Sequence, residues 1–391
     1  MTAPFDAYKN RFIRSGLAAP SEVLMAVADP TDPAPCWSRE APDIALLEPL
    51  FGMLGIQALI KARPAAPYPS IIDYLAKAAS GTIYPQDCET RLFLHDLPVA
   101  EAMHPEHLAQ ILKNRKSVIL PGGEILTVSP GGLKKAYVTL SSVCFACFVK
   151  FFIDLRIARK TGRMTRADRQ MIESVRRLLD PLPEFTGELA KGPFDGEEKI
   201  LPAIYEAGRQ VVDMRLVDSS FGNISYRSGD RLYISQSGTF LDSLEDGITR
   251  CATDNPSHVP GNASSELPAH LEVIRQTGCR AILHGHPRFS VILSMACDIP
   301  DCPYRGECHR FCPYDRKACG NIPIVSGEVG GGEYGLCHTV PNAICDAPGV
   351  IVYGHGVFTC DDTDFNNALA KLIDIERRCR IEYFTFMEMN S

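Results

Sequence analysis

Two histidines two residues apart close an apolar run, Ile282-Leu283-His284-Gly285-His286-Pro287, and a third stands between glycines in Val350-Ile351-Val352-Tyr353-Gly354-His355-Gly356. Side chains at i and i+2 of a strand face the same side, so His284 and His286 can turn two imidazoles toward one ion. His355 ends a second strand-like run, where the flanking glycines let another backbone or a ligand approach closely. Three imidazoles with a fourth position left open describe a catalytic zinc site. Taken singly, each histidine also fits a polar surface or a turn, so the neighbouring residues decide the weight of the reading.

Upstream, Asn262-Ala263-Ser264-Ser265-Glu266-Leu267-Pro268 precedes an apolar series, Leu267, Leu271 and Ile274, at helical spacing. Serine suits an N-cap, Pro268 the first turn and Gly278 the exit, which predicts a helix over this stretch. A helix N-terminus offers free N–H groups and a positive dipole end, so Ser264 and Ser265 can hold an anion there while Glu266 projects nearby. Without the histidines, Glu266 reads as a first-turn or capping carboxylate; with them it reads as a base. Ser220-Phe221-Gly222-Asn223-Ile224-Ser225 and Ile234-Ser235-Gln236-Ser237-Gly238 are small-residue turns beside strand-like segments, where amides and hydroxyls can nest a phosphate.

In this order, GNIS at 222–225, SG at 237–238, SSE at 264–266, HGHP at 284–287 and GHG at 354–356 resemble the class II aldolase/adducin family from about residue 198 to the C-terminus. The resemblance implies α/β/α layers around a central, mainly antiparallel sheet. It implies zinc held by His284, His286 and His355, and a substrate phosphate held by Gly222, Asn223, Ser237, Gly238, Ser264 and Ser265. Glu266 stands where the aldolase branch has a glutamate and the phosphopentose epimerase branch typically has an aspartate, which favours retro-aldol cleavage of a phosphorylated ketose or related sugar. Dehydration and epimerisation of a sugar phosphate remain alternatives, as does a non-catalytic adducin-like binding protein, although such domains are expected to lose the histidines. Family members commonly form tetramers with sites between subunits, so the resemblance also implies a homo-oligomer, a tetramer or a dimer.

The chain has 391 residues, long enough for two domains, and a formal charge of −7 with no extended basic block, which argues against a nucleic-acid partner. Its first residues lack the apolar core of a secretion signal, so a cytoplasmic location is expected. Fifteen cysteines then belong in a reducing compartment, free or metal-bound. Cys302, Cys308, Cys312 and Cys319 fall within eighteen residues of an insertion at 297–320, set among prolines and glycines, where a structural zinc or an iron–sulfur cluster is the expectation and ordinary thiols the alternative.

The expected organisation is an N-terminal arm over 1–41, an α/β domain over 42–183, a linker over 184–197 and the aldolase-like domain over 198–391. Helices are expected around 46–61 and 70–79, a strand over 90–94, and a helix opening on the capping box Thr165-Arg166-Ala167-Asp168. The apolar run Tyr137 to Leu155 is interrupted by Lys150 and Asp154 and reads as a buried helix rather than a membrane span. Shifted by 232 residues, Val118 to Phe152 lies on Val350 to Phe384 without a gap. Val118, Ile119, Gly122, Thr127, Ala136, Leu140, Cys147 and Phe152 are identical, and Gly123 stands at the place of His355. The N-terminal domain is therefore expected to carry a degenerate half-copy of the aldolase-like fold, against the alternative of chance likeness between two strand–helix units.

Overall fold

A computed structural model describes residues 5–29, 32–181, 184–218, 220–253, 261–299 and 301–389. The chain divides into two compact units, Met1–Asp180 and Pro181–Ser391. The expected boundary at 183 lies outside the described residues.

In the first unit, β1 (Val23–Asp29), β2 (Asp32–Trp37), β3 (Ala58–Ala62), β6 (Ser117–Leu120) and β7 (Glu124–Ser129) form a sheet in the order β2-β1-β3-β7-β6, while β4 (Thr82–Ile83) and β5 (Leu97–Pro98) pair separately. Every pairing is antiparallel. The opening residues are not the expected arm: Phe5–Arg14 is a helix, and β1 and β2 form a hairpin inside the sheet. The reason is apolar content, since Val23, Leu24, Met25 and Ala26 are all buried. Residues 90–94, expected as a strand, lie in the helix Cys88–Leu94, started by Asp87, whose carboxylate accepts the Thr90 N–H at 2.7 Å. The stretch expected as a helix over 46–61 is instead two short helices, Ile44–Leu47 and Pro49–Leu54, followed by β3. Gly55, left-handed at φ 62°, ends the helical part and leaves the apolar Ala58-Leu59-Ile60 to the sheet.

The long helix Leu133–Lys160 packs on β7 and β3, and 89% of its apolar window is buried within the protein. Phe145, Phe148, Phe151 and Phe152 are all buried, which is why the segment is apolar all round. Lys150 and Asp154, which interrupt the apolar run, pair with each other, Lys150 Nζ to Asp154 at 2.8 Å, and Gln86 donates to Asp154 at 2.7 Å. The next helix, Arg166–Leu178, opens on the Thr165–Asp168 capping box with both reciprocal bonds made.

The second unit is built on eight strands: β8 (Asn223–Ser228), β9 (Arg231–Ser235), β10 (Ile248–Ala252), β11 (Ala281–Gly285), β12 (Arg316–Ala318), β13 (Ile322–Val325), β14 (Val350–Val352) and β15 (Val357–Asp361). Their order is β10-β9-β8-β11-β15-β14-β13-β12, antiparallel except between β13 and β14. One face packs the helices Leu267–Thr277 and Val340–Ile344 through Leu267, Val273, Ile274 and Val340 against Ile282, Val350, Val352 and Phe358. The other face carries Phe365–Glu388, packed on β11 and β15, and Glu197–Asp213, packed on β8. Covered on both faces, β11 is buried along its whole length, so His284 is a polar side chain in the middle of a core strand.

Five strands of this sheet, β9-β8-β11-β15-β14, repeat the order and the antiparallel sense of β2-β1-β3-β7-β6. The likeness thus extends beyond the strand–turn–helix unit expected from the 232-residue shift. The pairing of β6 with β7 joins the equivalents of β14 and β15, and in both units a long helix follows the last strand.

Candidate metal centre and its supporting network

His284 comes from the last turn-facing part of β11, where it pairs with Asn223 of β8 on one side and Phe358 of β15 on the other. His286 follows two residues on, and its N–H reaches the Leu216 carbonyl at 2.8 Å. His355 sits in the tight connection from β14 to β15, where Gly354 takes φ 61° and the His355 N–H bonds Val352 O at 3.1 Å. His284 Nε2 lies 3.0 Å from His286 Nε2 and 3.2 Å from His355 Nε2, and all three side chains are buried.

This arrangement fits a metal ion on its own geometry. The His284 Nδ1 atom lies 3.0 Å from the Val357 carbonyl, which can only accept, so Nδ1 carries the proton and Nε2 presents its lone pair. Zinc–nitrogen bonds of about 2.0–2.1 Å in a tetrahedron place ligand nitrogens about 3.3 Å apart, close to the spacings here. Burial, together with the neighbouring imidazoles, drives His286 well below its ordinary range, which keeps it neutral and able to act as a ligand. Among the described residues, His284, His286 and His355 are the group of three or more His, Cys, Asp or Glu side chains whose ligand atoms converge.

Glu266 closes the site. One oxygen lies 2.8 Å from His355 Nε2, and the other lies 3.3 Å from His284 Nε2 and accepts the Asn223 amide at 2.7 Å. Burial alone would raise its carboxyl. The His284 and His355 imidazoles beside it and the Asn223 amide N–H outweigh burial and hold it below the usual carboxylate range, so it is ionised. Glu266 is itself the residue before the helix Leu267–Thr277, with no capping bond from its side chain, so a serine does not occupy the cap. Ser264 Oγ instead accepts the Glu266 N–H at 3.3 Å, fixing the turn that presents the carboxylate.

Asn223, expected to hold phosphate, has its side-chain amide engaged with Glu266 and His270. Its amide N–H donates to Glu266, and its oxygen faces His270 Nε2 at 2.5 Å. An ionised carboxylate can only accept, which fixes the orientation of the amide and makes His270 Nε2 the protonated nitrogen. His270 Nδ1 then accepts from Ser225 Oγ at 2.7 Å. His270 was not singled out in the sequence. The available signal was its position four residues after Glu266, on the helix face turned to the sheet.

The other expected anion-holding residues lie in turns. Ser264 is buried, whereas Ser237, Gly238 and Ser265 are exposed and Gly222 is half-buried. Gly222 takes φ 76° with its Cα against the His284 carbonyl, a place where a Cβ would meet that oxygen at 2.6 Å. Two further groups missed by the motifs set the backbone around His286. Arg288 makes a two-pronged pair with Asp218 at 2.8 and 3.0 Å. Glu376, from the C-terminal helix, accepts the N–H groups of Phe289 and Ser290 at 2.8 and 2.9 Å, capping the helix Arg288–Met295 that begins just after His286. Burial keeps its pKa raised despite those bonds.

The four cysteines do not gather. Cys319 occupies the β12–β13 turn at φ 51°, and contacts to the C-terminal helix fix it there: its N–H donates to Glu382 at 2.7 Å and its Sγ lies 3.7 Å from Cys379 Sγ. Cys312 Sγ bonds the Tyr314 carbonyl, and Cys308 Sγ the Tyr304 carbonyl. Among the described residues, Cys302, Cys308, Cys312 and Cys319 form no converging ligand set, so the expected structural zinc or iron–sulfur cluster finds no support in their placement.

Comparison with known proteins follows the same half of the chain. Residues 202–383 match the model of the Class II Aldolase and Adducin N-terminal domain. The C-terminal half of this chain belongs to the class II aldolase/adducin family. The family members it resembles include an L-fuculose phosphate aldolase of Methanococcus maripaludis, 25% identical over 179 residues, 44% of this chain and 89% of that protein. An L-fuculose phosphate aldolase of Methanocaldococcus jannaschii is 34% identical over 88 residues, 22% of this chain and 48% of that protein. Among solved structures, L-fuculose-1-phosphate aldolase from Thermus thermophilus is 21% identical with a TM-score of 0.40, covering 50% of this chain and 99% of that one. YgbL from Klebsiella pneumoniae, described as an aldolase/epimerase/decarboxylase, is 17% identical with a TM-score of 0.41, covering 50% and 94%.

Two outcomes follow for this family domain. Burial drives the pKa of His270 from 6.5 to about 3, so the folded state holds it neutral while the unfolded chain takes up a proton near 6.5. Its contribution to stability is complete above about pH 6.5 and is lost as pH falls toward 3. Thermal melting between pH 7 and 4 will therefore show a shallower decline for His270→Gln than for the parent, and equal slopes would remove His270 as a source. A Cβ at Gly356 would collide with the Gly285 carbonyl and come within 2.7 Å of His284 Cε1 and 3.0 Å of His286 Cδ2. If the triad holds an ion, Gly356→Ala will weaken its binding by about tenfold or more in a metal titration, since a shift of the ligands costs affinity on that scale.

Proposed function

We propose that the C-terminal half is a zinc-dependent lyase that cleaves a phosphorylated ketose, or a related sugar, by retro-aldol chemistry. The observation that carries this reading is the ionised Glu266 carboxylate held within 2.8 and 3.3 Å of two imidazoles of the His284–His286–His355 triad. A zinc ion held by those three histidines supplies Lewis acidity toward a substrate carbonyl and its neighbouring hydroxyl. In the cleavage direction the hydroxyl on the departing carbon passes its proton to the ionised Glu266, the carbon–carbon pair passes to the carbonyl side, and an aldehyde leaves. Glu266 is placed to hold and return a proton at the carbon next to the carbonyl. Asn223 and His270 keep the carboxylate turned to that point, and burial excludes the water that would compete for it.

The substrate phosphate is assigned to the small-residue turns at Gly222, Ser237, Gly238, Ser264 and Ser265. Their backbone N–H groups and hydroxyls suit an anion, and no basic side chain is required. The names of the relatives support a phosphorylated sugar as the substrate class. Glutamate at position 266 favours cleavage over epimerisation.

Glu266→Gln removes the proton acceptor and keeps the shape. It will retain metal and lower turnover about 10²–10⁴-fold, measured by coupled detection of dihydroxyacetone phosphate across a panel of phosphorylated ketoses. A glutamine variant with parental turnover would place the base elsewhere, and a product without a released aldehyde would replace cleavage by epimerisation or dehydration. His355→Ala will lose the one divalent ion per chain that the triad is expected to hold. A variant that keeps its full metal content in elemental analysis would end the zinc reading.

A further inference from the structure

The likeness of the two units reaches the metal centre itself. Residues 43–64 lie on 266–287 without a gap: Gly55 falls on Gly278, Ala58 on Ala281 and Pro64 on Pro287. Both glycines end a helix in the left-handed conformation, at φ 62° and 75°. Strand register agrees independently. Lys61 pairs with Leu24 and Leu126, as His284 pairs with Asn223 and Phe358, and Leu126 and Phe358 are equivalent under the 232-residue shift.

Two hydrogen bonds recur at equivalent atoms. Ser38 Oγ accepts the Met25 N–H at 3.0 Å in the first unit, and Ser235 Oγ accepts the Ile224 N–H at 3.2 Å in the second. Thr127 Oγ1 donates to the Ala136 carbonyl at 3.1 Å, and Thr359 Oγ1 to the Ala368 carbonyl at 2.8 Å. Hydroxyl-to-backbone bonds at matched places on matched strands are not a consequence of generic strand–helix geometry.

At the positions that carry chemistry the units diverge. His284 is replaced by Lys61, His286 by Arg63, His355 by Gly123, Glu266 by Asp43 and Gly356 by Glu124. Lys61 Nζ lies 2.8 Å from Asp43 and 2.8 Å from Glu124, and the lysine side chain is only 12% exposed. The first unit thus keeps a carboxylate just before the helix, adds a second from the turn, and places a covalently attached cation between them. We infer that the N-terminal unit is a second copy of the catalytic fold in which the Lys61 ammonium has taken the place of the metal ion, leaving a scaffold that holds no metal. The inference leans on the zinc reading of the C-terminal triad only for what was replaced; the equivalence of the units stands on register and hydrogen bonds. Burial works against the Lys61 charge, but bonds to Asp43 and Glu124 outweigh it and raise its pKa, so the cation persists at any working pH.

The test uses the full chain with Lys61→Met, Lys61→Arg and the triple variant Lys61→Met, Asp43→Asn, Glu124→Gln. Lys61→Met strands two facing carboxylates and will lower the melting temperature by about 5 °C. Lys61→Arg keeps a cation, and the triple variant removes the stranded charges, so each will recover most of that loss. Metal content per chain will be the same in all three as in the parent. Lys61→Met melting like the parent, a triple variant no better than the single one, or metal lost from any of them would overturn the inference. A parent chain without metal would defeat the zinc reading of the C-terminal half, and the melting comparison would still decide the role of Lys61.

Discussion

The C-terminal half depends on one alignment of backbones, the antiparallel register that sets β11 between β8 and β15. It places His284 opposite Asn223 and Phe358, and it brings the Val357 carbonyl to His284 Nδ1, which fixes the tautomer that frees Nε2. A slip of one residue would turn His284 to the other face of the sheet and leave a leucine or a glycine in its place. Gly285 and Gly356 permit the register, because a Cβ at either would strike a neighbouring backbone oxygen. The glycines beside the histidines thus serve close packing of strands as much as flexibility.

A network with both ends satisfied hangs from that alignment. Ser225, His270, Asn223 and Glu266 form a single chain of hydrogen bonds in which each member's orientation is dictated by the next. In a buried site an unmet donor or acceptor is costly, so such a chain has one low-energy arrangement. A carboxylate braced this way needs little reorganisation when a proton moves, which is what the proposed role of Glu266 requires.

The site was legible in the sequence where side chains act through local spacing: the i, i+2 pair at His284 and His286, the glycine-flanked His355, and Glu266 at a helix start. Residues that act through the fold were not. His270 looks like one more residue of an amphipathic helix, and Glu376 like a surface charge, until the sheet and the C-terminal helix bring them to Asn223 and to the helix after His286. The same limit explains Cys319: spacing grouped it with Cys302, Cys308 and Cys312, whereas a turn and a contact with Cys379 carry it elsewhere. In the N-terminal half, the apolar β1 was obscured by the prolines and polar residues around it, β2 by the prolines within it, and Cys88–Leu94 took a helix because Asp87 supplied a cap that outweighed strand propensity.

The ammonium of Lys61 also bears on how the chain matures. Residues of the first unit leave the ribosome before those of the second, and domains tend to fold as they emerge. The first unit carries its central cation within its own sequence and can complete its fold without any ion from the surroundings. The second, on the zinc reading proposed above, gathers three imidazoles and a carboxylate around an ion taken from the surroundings. On that reading one chain joins a half whose assembly is autonomous to a half whose assembly is tied to metal supply, with the autonomous half made first.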